Sequence, residues 1–127
     1  MKKGDKLKKK RPETVEDAFQ MTGRPTVDFS NLPEDLRVHF ENYYKAIVIT
    51  EALNEGRKPD WDNWSENKWR AWFRMSGSAS AFGLYDACYD FTCSSAGSGS
   101  RLVNFDEETA EYSATQFKDV WKEIQIG

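Results

Sequence analysis

The sequence predicts an α+β domain, in which helices pack on one face of a small three-stranded antiparallel sheet. An apolar pattern with a helical period begins near residue 34 and continues for about 22 residues. A second helical pattern ends the chain, and residues 68–75 alternate with the period of two that is typical of a strand. With 127 residues, of which 39% are apolar, the chain can build one hydrophobic core. We therefore predict a single domain over residues 13–127.

The first 12 residues form a basic arm. Residues 1–11 hold seven Lys or Arg and one Asp, whereas the rest of the chain holds 11 basic and 20 acidic residues, a net charge of −9. A like-charged segment with little apolar surface cannot offset the entropy lost on ordering, so residues 1–12 are predicted to be disordered. The arm could attract nucleic acid or an anionic membrane, fold back on the acidic body, or act only as a solubilising tail.

Three helices are predicted. A short one within PETVEDAFQM (12–21) is closed by Gly23. The long central helix begins after a cap at Ser30 or Asn31 and ends at Gly56 in the C′ position. Its apolar stripe comprises Leu36, Phe40, Tyr43, Tyr44, Ile47, Val48 and Leu53.

The C-terminal amphipathic helix begins at Asn104 or Asp106 and extends for about 17 residues. Acidic residues in its first turn favour the positive end of the helix dipole. Its buried side is predicted to comprise Ala110, Ala114, Phe117, Val120, Trp121 and Ile124.

Three strands are predicted between these helices, over residues 68–75, 82–93 and 101–105, separated by the small-residue segments SGSAS and SSAGSGS. In the first strand, alternation places Trp69, Ala71, Phe73 and Met75 on the buried face. The opposite face, directed to solvent, then carries Lys68, Arg70, Trp72 and Arg74.

Four tryptophans lie within residues 60–73, and only some of them can be core residues. Alternation predicts Trp69 in the core and Trp72 on the open face. The candidate ligand-binding residues are Trp72, Arg70, Arg74, Tyr85 and Tyr89, because aromatic faces and guanidinium groups suit bases and phosphates. The same residues could instead form a cross-strand aromatic ladder or a dimer interface centred on Trp72.

No catalytic, metal or cofactor site is predicted. His39 is the only histidine, and Cys88 and Cys93 lack the spacing and companions of a zinc site. GSGS at 97–100 lacks the Lys-Ser/Thr of a P-loop, and DWDNWSE at 60–66 lacks the spacing of an EF-hand. With no export signal or membrane span, we expect reduced thiols and a location in the host-cell cytoplasm.

Four segments occur in a characteristic order around the predicted strands: EALNEGRKPDW (51–61), GSRL (99–102), AEY (110–112) and QF (116–117). In order and spacing, residues 33–127 resemble a family of small uncharacterised proteins frequent in Bacteroidales genomes, prophages and phages. The central strands are shorter here and carry Asp and Cys where the family has more tyrosine. The resemblance implies a phage or mobile-element accessory protein and supplies no catalytic residues.

Three functions are therefore expected. The first is a non-enzymatic accessory protein that binds a small nucleotide-like ligand or a host protein, as a counter-defence protein would. The second is single-stranded nucleic-acid binding by the basic arm and the aromatic strands, although a body with a net charge of about −9 opposes extended phosphate contact. The third is a virion or assembly component whose aromatic face forms a homo-oligomer interface.

Overall fold

The computed structural model describes residues 11–63, 65–75, 81–90 and 100–126. These ranges contain α1 (Val15–Thr22), α2 (Glu34–Leu53), β1 (Lys68–Arg74), β2 (Gly83–Asp90), a 3-10 turn (Ser100–Leu102), α3 (Glu107–Gln116) and α4 (Lys118–Gln125). The α+β class with an antiparallel sheet is confirmed. The basic arm over residues 1–10, Trp64 and Cys93 lie outside the described residues.

The sheet has two strands in the described part of the chain, so the prediction of a third strand over residues 101–105 is wrong. Residues 100–102 form a 3-10 turn, and α3 is already capped by Asp106. Only Asn104 lies extended beside β1, where its N–H and C=O exchange hydrogen bonds with those of Trp69 at 2.8 and 2.7 Å. The segment thus contributes a single bridge.

The two strands contain a β-bulge. Trp72 pairs with Asp86 whereas Phe73 pairs with Leu84, so Tyr85 is an extra residue on β2. Bulges bend a strand and increase its twist. Residues 91–93, which were predicted to extend this strand, lie outside the described residues.

The two ends of α2 differ from the prediction. Ser30 and Asn31 do not cap it, because the helix begins at Glu34 with Pro33 in the cap position and no side-chain cap. At the other end, Glu55 adopts a φ of 54° and Gly56 a φ of 78°. The Gly56 N–H donates to the Glu51 carbonyl at 3.0 Å, as in a Schellman motif. Gly56 therefore helps to end the helix, one residue later than the C′ position.

The core residues of α2 lie in its C-terminal half. Ala46, Val48 and Ile49 belong to the core, whereas Leu36 and Phe40 are 43% and 45% exposed. A helix of 20 residues spans about 30 Å, and its neighbours α1 and α4 have eight residues each. The predicted apolar stripe is therefore longer than the surface that covers it.

The C-terminal helix is divided in two at Phe117, whose φ of −112° and ψ of 35° are not helical. The break turns α4 onto the core, where Phe117 and Trp121 are buried. There the Phe73 ring stacks on Phe82 and Trp121, with centroid distances of 5.0 and 5.5 Å. The indole N–H of Trp121 donates to the Ser113 hydroxyl at 3.1 Å and so links the two helices.

The docked part of the chain begins before residue 13. Pro12 is buried, and its carbonyl accepts a hydrogen bond from the Tyr112 hydroxyl at 2.9 Å. The Arg11 guanidinium pairs with Glu108 at 3.0 Å and lies 4.7 Å from the centre of the Tyr112 ring. Arg11 and Pro12, predicted to be disordered, therefore belong to the domain.

Candidate ligand-binding cleft

Three of the five predicted site residues lie on an open surface of the sheet. Trp72 is 56% exposed and Tyr85 is 70% exposed. The Arg74 guanidinium lies 5.8 Å from the centre of the Tyr85 ring, within range of a cation–π interaction. These exposures describe a surface patch rather than an enclosed site.

The other two predicted residues do not extend this patch. Arg70 is half-buried and lines a 120 Å³ cavity beside α3 and α4. Tyr89 pairs with Trp69 in the strand register, and its side chain, like that of Cys88, lies outside what the structure describes. The predicted site is therefore not assembled as one constellation by the described residues.

The burial of β1 also departs from strict alternation. Trp69 is only half-buried and Met75 is exposed, although both were predicted to face the core. Lys68, predicted to face solvent, is fully buried. Lys68 is buried because the described residues of the preceding segment, 57–63 and 65–66, fold back over the start of the strand.

The Lys68 ammonium group organises this segment. It donates to the carbonyls of Asp60 at 2.7 Å and Asn63 at 3.1 Å, and lies 3.4 Å from a Glu66 carboxylate oxygen. It also lies 5.2 Å from the centre of the Trp61 ring. Asp60, Asn63 and Glu66 thus surround a lysine ammonium group, which fixes the position of Trp61.

Glu66 remains ionised in this environment. Burial acts to raise the pKa of its carboxyl group, but hydrogen bonds from the Asp60 N–H, Arg57 and Lys68 outweigh burial and lower that pKa. Arg57 reaches Glu66 at 2.7 Å and packs 3.8 Å above the centre of the Phe105 ring. The loop is therefore held by charge at both ends.

A cleft of about 280 Å³ lies between this loop, the C-terminal end of α2 and the segment before α3. Its described lining combines one indole ring with three cationic side chains. Its lining includes Thr50, Glu51, Asn54, Arg57, Lys58, Trp61, Arg101 and Val103.

Asn54 holds two walls of the cleft together. Its amide donates to the Val103 carbonyl at 2.9 Å, and its side-chain oxygen accepts from the Asn104 amide at 3.0 Å. Since Asn104 also pairs with Trp69 on β1, the end of α2 is tied to the sheet. The positions of Arg101 and Val103 are set by this connection.

Glu51 is the one carboxylate in the cleft lining. Arg24 binds it through two hydrogen bonds of 2.9 and 2.7 Å, and Arg101 approaches it to 3.5 Å. The pKa of Glu51 lies below its ordinary value, first because of the Arg24 hydrogen bond and then because the charges of Arg24, Arg101 and Lys58 outweigh burial.

The cleft carries a net positive charge. Among the described residues, the lining groups and their ion-pair partners comprise four cations (Arg24, Arg57, Lys58 and Arg101) and two carboxylates (Glu51 and Glu66), which leaves two positive charges. The C-terminal end of α2 offsets only about half a charge. Lys58 makes no ion pair with any other described residue.

Thr50 adds a polar group to the floor of the cleft. The residue is 2% exposed, and its hydroxyl has no hydrogen-bond partner within the described ranges. Buried hydroxyl groups in proteins are nearly always hydrogen-bonded. The Thr50 hydroxyl is therefore an exception, and its oxygen is too enclosed to contact a ligand in the cleft.

Sequence reasoning missed this cleft because its walls come from distant segments. Arg24, Glu51 and Arg101 meet across a separation of 77 residues in sequence. One local signal was present: Arg57, Lys58 and Trp61 follow the helix end directly, where an exposed turn presents them together.

Comparison with protein-family models, curated proteins and solved structures finds no match to this chain. Among the described residues, no three His, Cys, Asp or Glu side chains are placed to share a metal ion. None of the described helices combines the length and apolar character of a membrane span.

Proposed function

We propose that the protein is a non-enzymatic binding protein that takes a small nucleotide-like anion in the cleft beside Trp61. The observation that carries the proposal is the meeting of one indole ring and three cationic side chains in a single concave site. A base would stack on the Trp61 ring, while Lys58 and Arg101 would donate hydrogen bonds to a phosphate group. Stacking tolerates any base, and arginine matches the geometry of phosphate oxygens.

The electrostatics of the cleft favour this ligand class. Lys58 and Arg101 are exposed at its rim; Lys58 makes no ion pair with another described residue, and Arg101 pairs with Glu51 at 3.5 Å. Arg57 forms an ion pair with Glu66, so we assign it a contribution to the positive charge of the cleft and no hydrogen bond to the ligand. The exposed Trp72 patch lacks such a concave arrangement of cations, so the cleft takes precedence over the surface predicted from sequence.

Binding is favoured over catalysis by the state of Glu51. A general acid or base works best with a pKa near the operating pH. The pKa of Glu51 is lowered instead, mainly by its hydrogen bond with Arg24. Its carboxylate therefore serves to position Arg24 and Arg101, and we assign it no role in proton transfer.

The sequence resemblance supports a biological context for ligand binding, namely a phage or mobile element. Two of the segments that carry it, residues 51–61 and 99–102, contribute Glu51, Asn54, Trp61 and Arg101 to the same cleft. We therefore propose a phage or mobile-element accessory protein in which the cleft is the ligand site. A protein that sequesters a nucleotide would need only such a site.

Isothermal titration calorimetry with adenosine, AMP and ADP tests the proposal. We expect AMP and ADP to bind and adenosine to bind at least about tenfold more weakly, because it lacks the charge-assisted hydrogen bonds to phosphate. Replacing both Lys58 and Arg101 with Ala should remove binding. A matched control, Lys118→Ala with Arg74→Ala, removes the same charge outside the cleft and should leave the affinity unchanged. Equal losses in the two double variants would contradict the proposal.

A further inference from the structure

A second cavity adjoins the cleft. It has a volume of about 810 Å³ and lies beside the turn after α1, where Met21, Arg24 and Pro25 line it. The two cavities have Glu51 and Gly56 in common. They are therefore adjacent compartments on either side of the last turn of α2.

The Glu51 carboxylate stands at the boundary between these compartments. Arg24 approaches it from the larger cavity with hydrogen bonds of 2.9 and 2.7 Å, and Arg101 approaches from the cleft to 3.5 Å. Two guanidinium groups thus converge from opposite sides. Glu51 already binds the Nε–Nη2 edge of Arg24, so an anion at this boundary would contact the remaining guanidinium N–H groups of Arg24 and those of Arg101.

The sizes of the two compartments indicate a ligand longer than a mononucleotide. The cleft, at about 280 Å³, lies just below the range of about 300–1,000 Å³ for small-molecule sites. The larger cavity offers apolar surface from Met21 and Pro25, against which a second base could lie. Methionine makes favourable contacts with aromatic rings and adapts to their shape.

We propose that the ligand is a dinucleotide that spans both cavities, an inference that rests on the proposed function. One base stacks on Trp61, the phosphodiester lies at the boundary between Arg24 and Arg101, and the second base lies against Met21 and Pro25. The terminal phosphate is held by Lys58. Glu51 keeps the two arginines directed towards this boundary.

The test compares AMP with the 5′-phosphorylated dinucleotide pApA by calorimetry on the full chain. We expect pApA to bind about tenfold more tightly than AMP, the contribution of one additional charge-assisted hydrogen bond. Met21→Glu places a negative charge in the larger cavity alone. It should reduce pApA affinity to that of AMP and leave AMP affinity within about twofold.

Arg24→Ala provides a second comparison. It should weaken pApA binding more than AMP binding, and circular dichroism should show that the variant is folded. If Arg24→Ala weakens AMP and pApA binding equally, the result for Met21→Glu decides. A loss of pApA affinity without a loss of AMP affinity in Met21→Glu supports the dinucleotide proposal, and the absence of such a selective loss overturns it. Equal affinity of the wild-type protein for AMP and pApA would refute the dinucleotide but leave the proposed function standing. If the wild-type protein bound neither AMP nor pApA, both the dinucleotide proposal and the proposed function would be refuted.

Discussion

The side-chain amides of Asn54 and Asn104 hydrogen bond to each other at 3.0 Å, although 50 residues separate them in sequence. Asn54 also donates to the Val103 carbonyl, and Asn104 exchanges backbone hydrogen bonds with Trp69. One side chain at the end of α2 therefore fixes the segment before α3 and, through it, the sheet. The walls of the cleft depend on this small network.

Asn54→Ala should destabilise the protein by about 2–3 kcal/mol, because it leaves the Val103 carbonyl and the Asn104 amide buried without a partner. The free energy of unfolding in urea measures this. Asn31→Ala, at an exposed position, is the matched control and should change stability by less than about 0.5 kcal/mol. Similar values for the two variants would show that the Asn54 network contributes little.

Lys68→Met should destabilise the protein by about 3 kcal/mol or more, since it removes a fully buried ammonium group from Glu66 and from two backbone carbonyls. In the double variant, Glu66→Gln also removes the carboxylate charge that loses its Lys68 partner in Lys68→Met. The two changes together should cost less than the sum of their separate effects. Strict additivity in urea unfolding would argue against a coupled pair.

Stability should fall at acid pH through Glu51. Its pKa is lowered in the folded protein, so its contribution is complete above the unfolded value of about 4.3 and is lost as the pH falls through the folded value. Glu51→Gln lacks this titration. The difference in melting temperature between wild type and Glu51→Gln should therefore be larger at pH 6 than at pH 3. A constant difference would show that the Arg24 pair does not contribute.

Removal of residues 1–10 should leave the melting temperature nearly unchanged, because every contact among residues 11–126 that the structure describes is retained. Removal of residues 1–12 also deletes buried Pro12, the partner of the Tyr112 hydroxyl, and the Arg11–Glu108 ion pair. This longer deletion should cost about 1–2 kcal/mol. Equal melting temperatures for the two deletions would mean that Arg11 and Pro12 contribute nothing to the fold.

The helical periods predicted where α1, α2 and the C-terminal helix lie, because apolar spacing is a local property of the sequence. The division at Phe117 was not predictable in this way. Phe117 continues the apolar stripe of residues 110–124, and the break follows from the packing of Trp121 against Ser113 and Phe73. Tertiary contacts thus override a local pattern.

For the candidate site, the combination of aromatic rings with cationic side chains could be predicted from the sequence, but the residues that form it could not. Alternation correctly placed Trp72 in solvent, but it treated Lys68 as a surface residue, since no local pattern shows that the carbonyls of Asp60 and Asn63 will surround its ammonium group. The same fold-back of residues 57–63 and 65–66 positions Trp61. A cleft whose cations come from three separate segments can be recognised only when those segments are in place.

The proposal that the ligand binds in the cleft beside Trp61 is tested most sharply by AMP titrations of Trp61→Ala and Trp72→Ala in a calorimeter. Circular dichroism shows that both variants are folded. The proposed cleft predicts that Trp61→Ala loses about 1–3 kcal/mol of binding free energy, the contribution of one stacking contact, and that Trp72→Ala loses none. Loss of binding in Trp72→Ala, with Trp61→Ala unaffected, would contradict the cleft and place the ligand on the open strand surface.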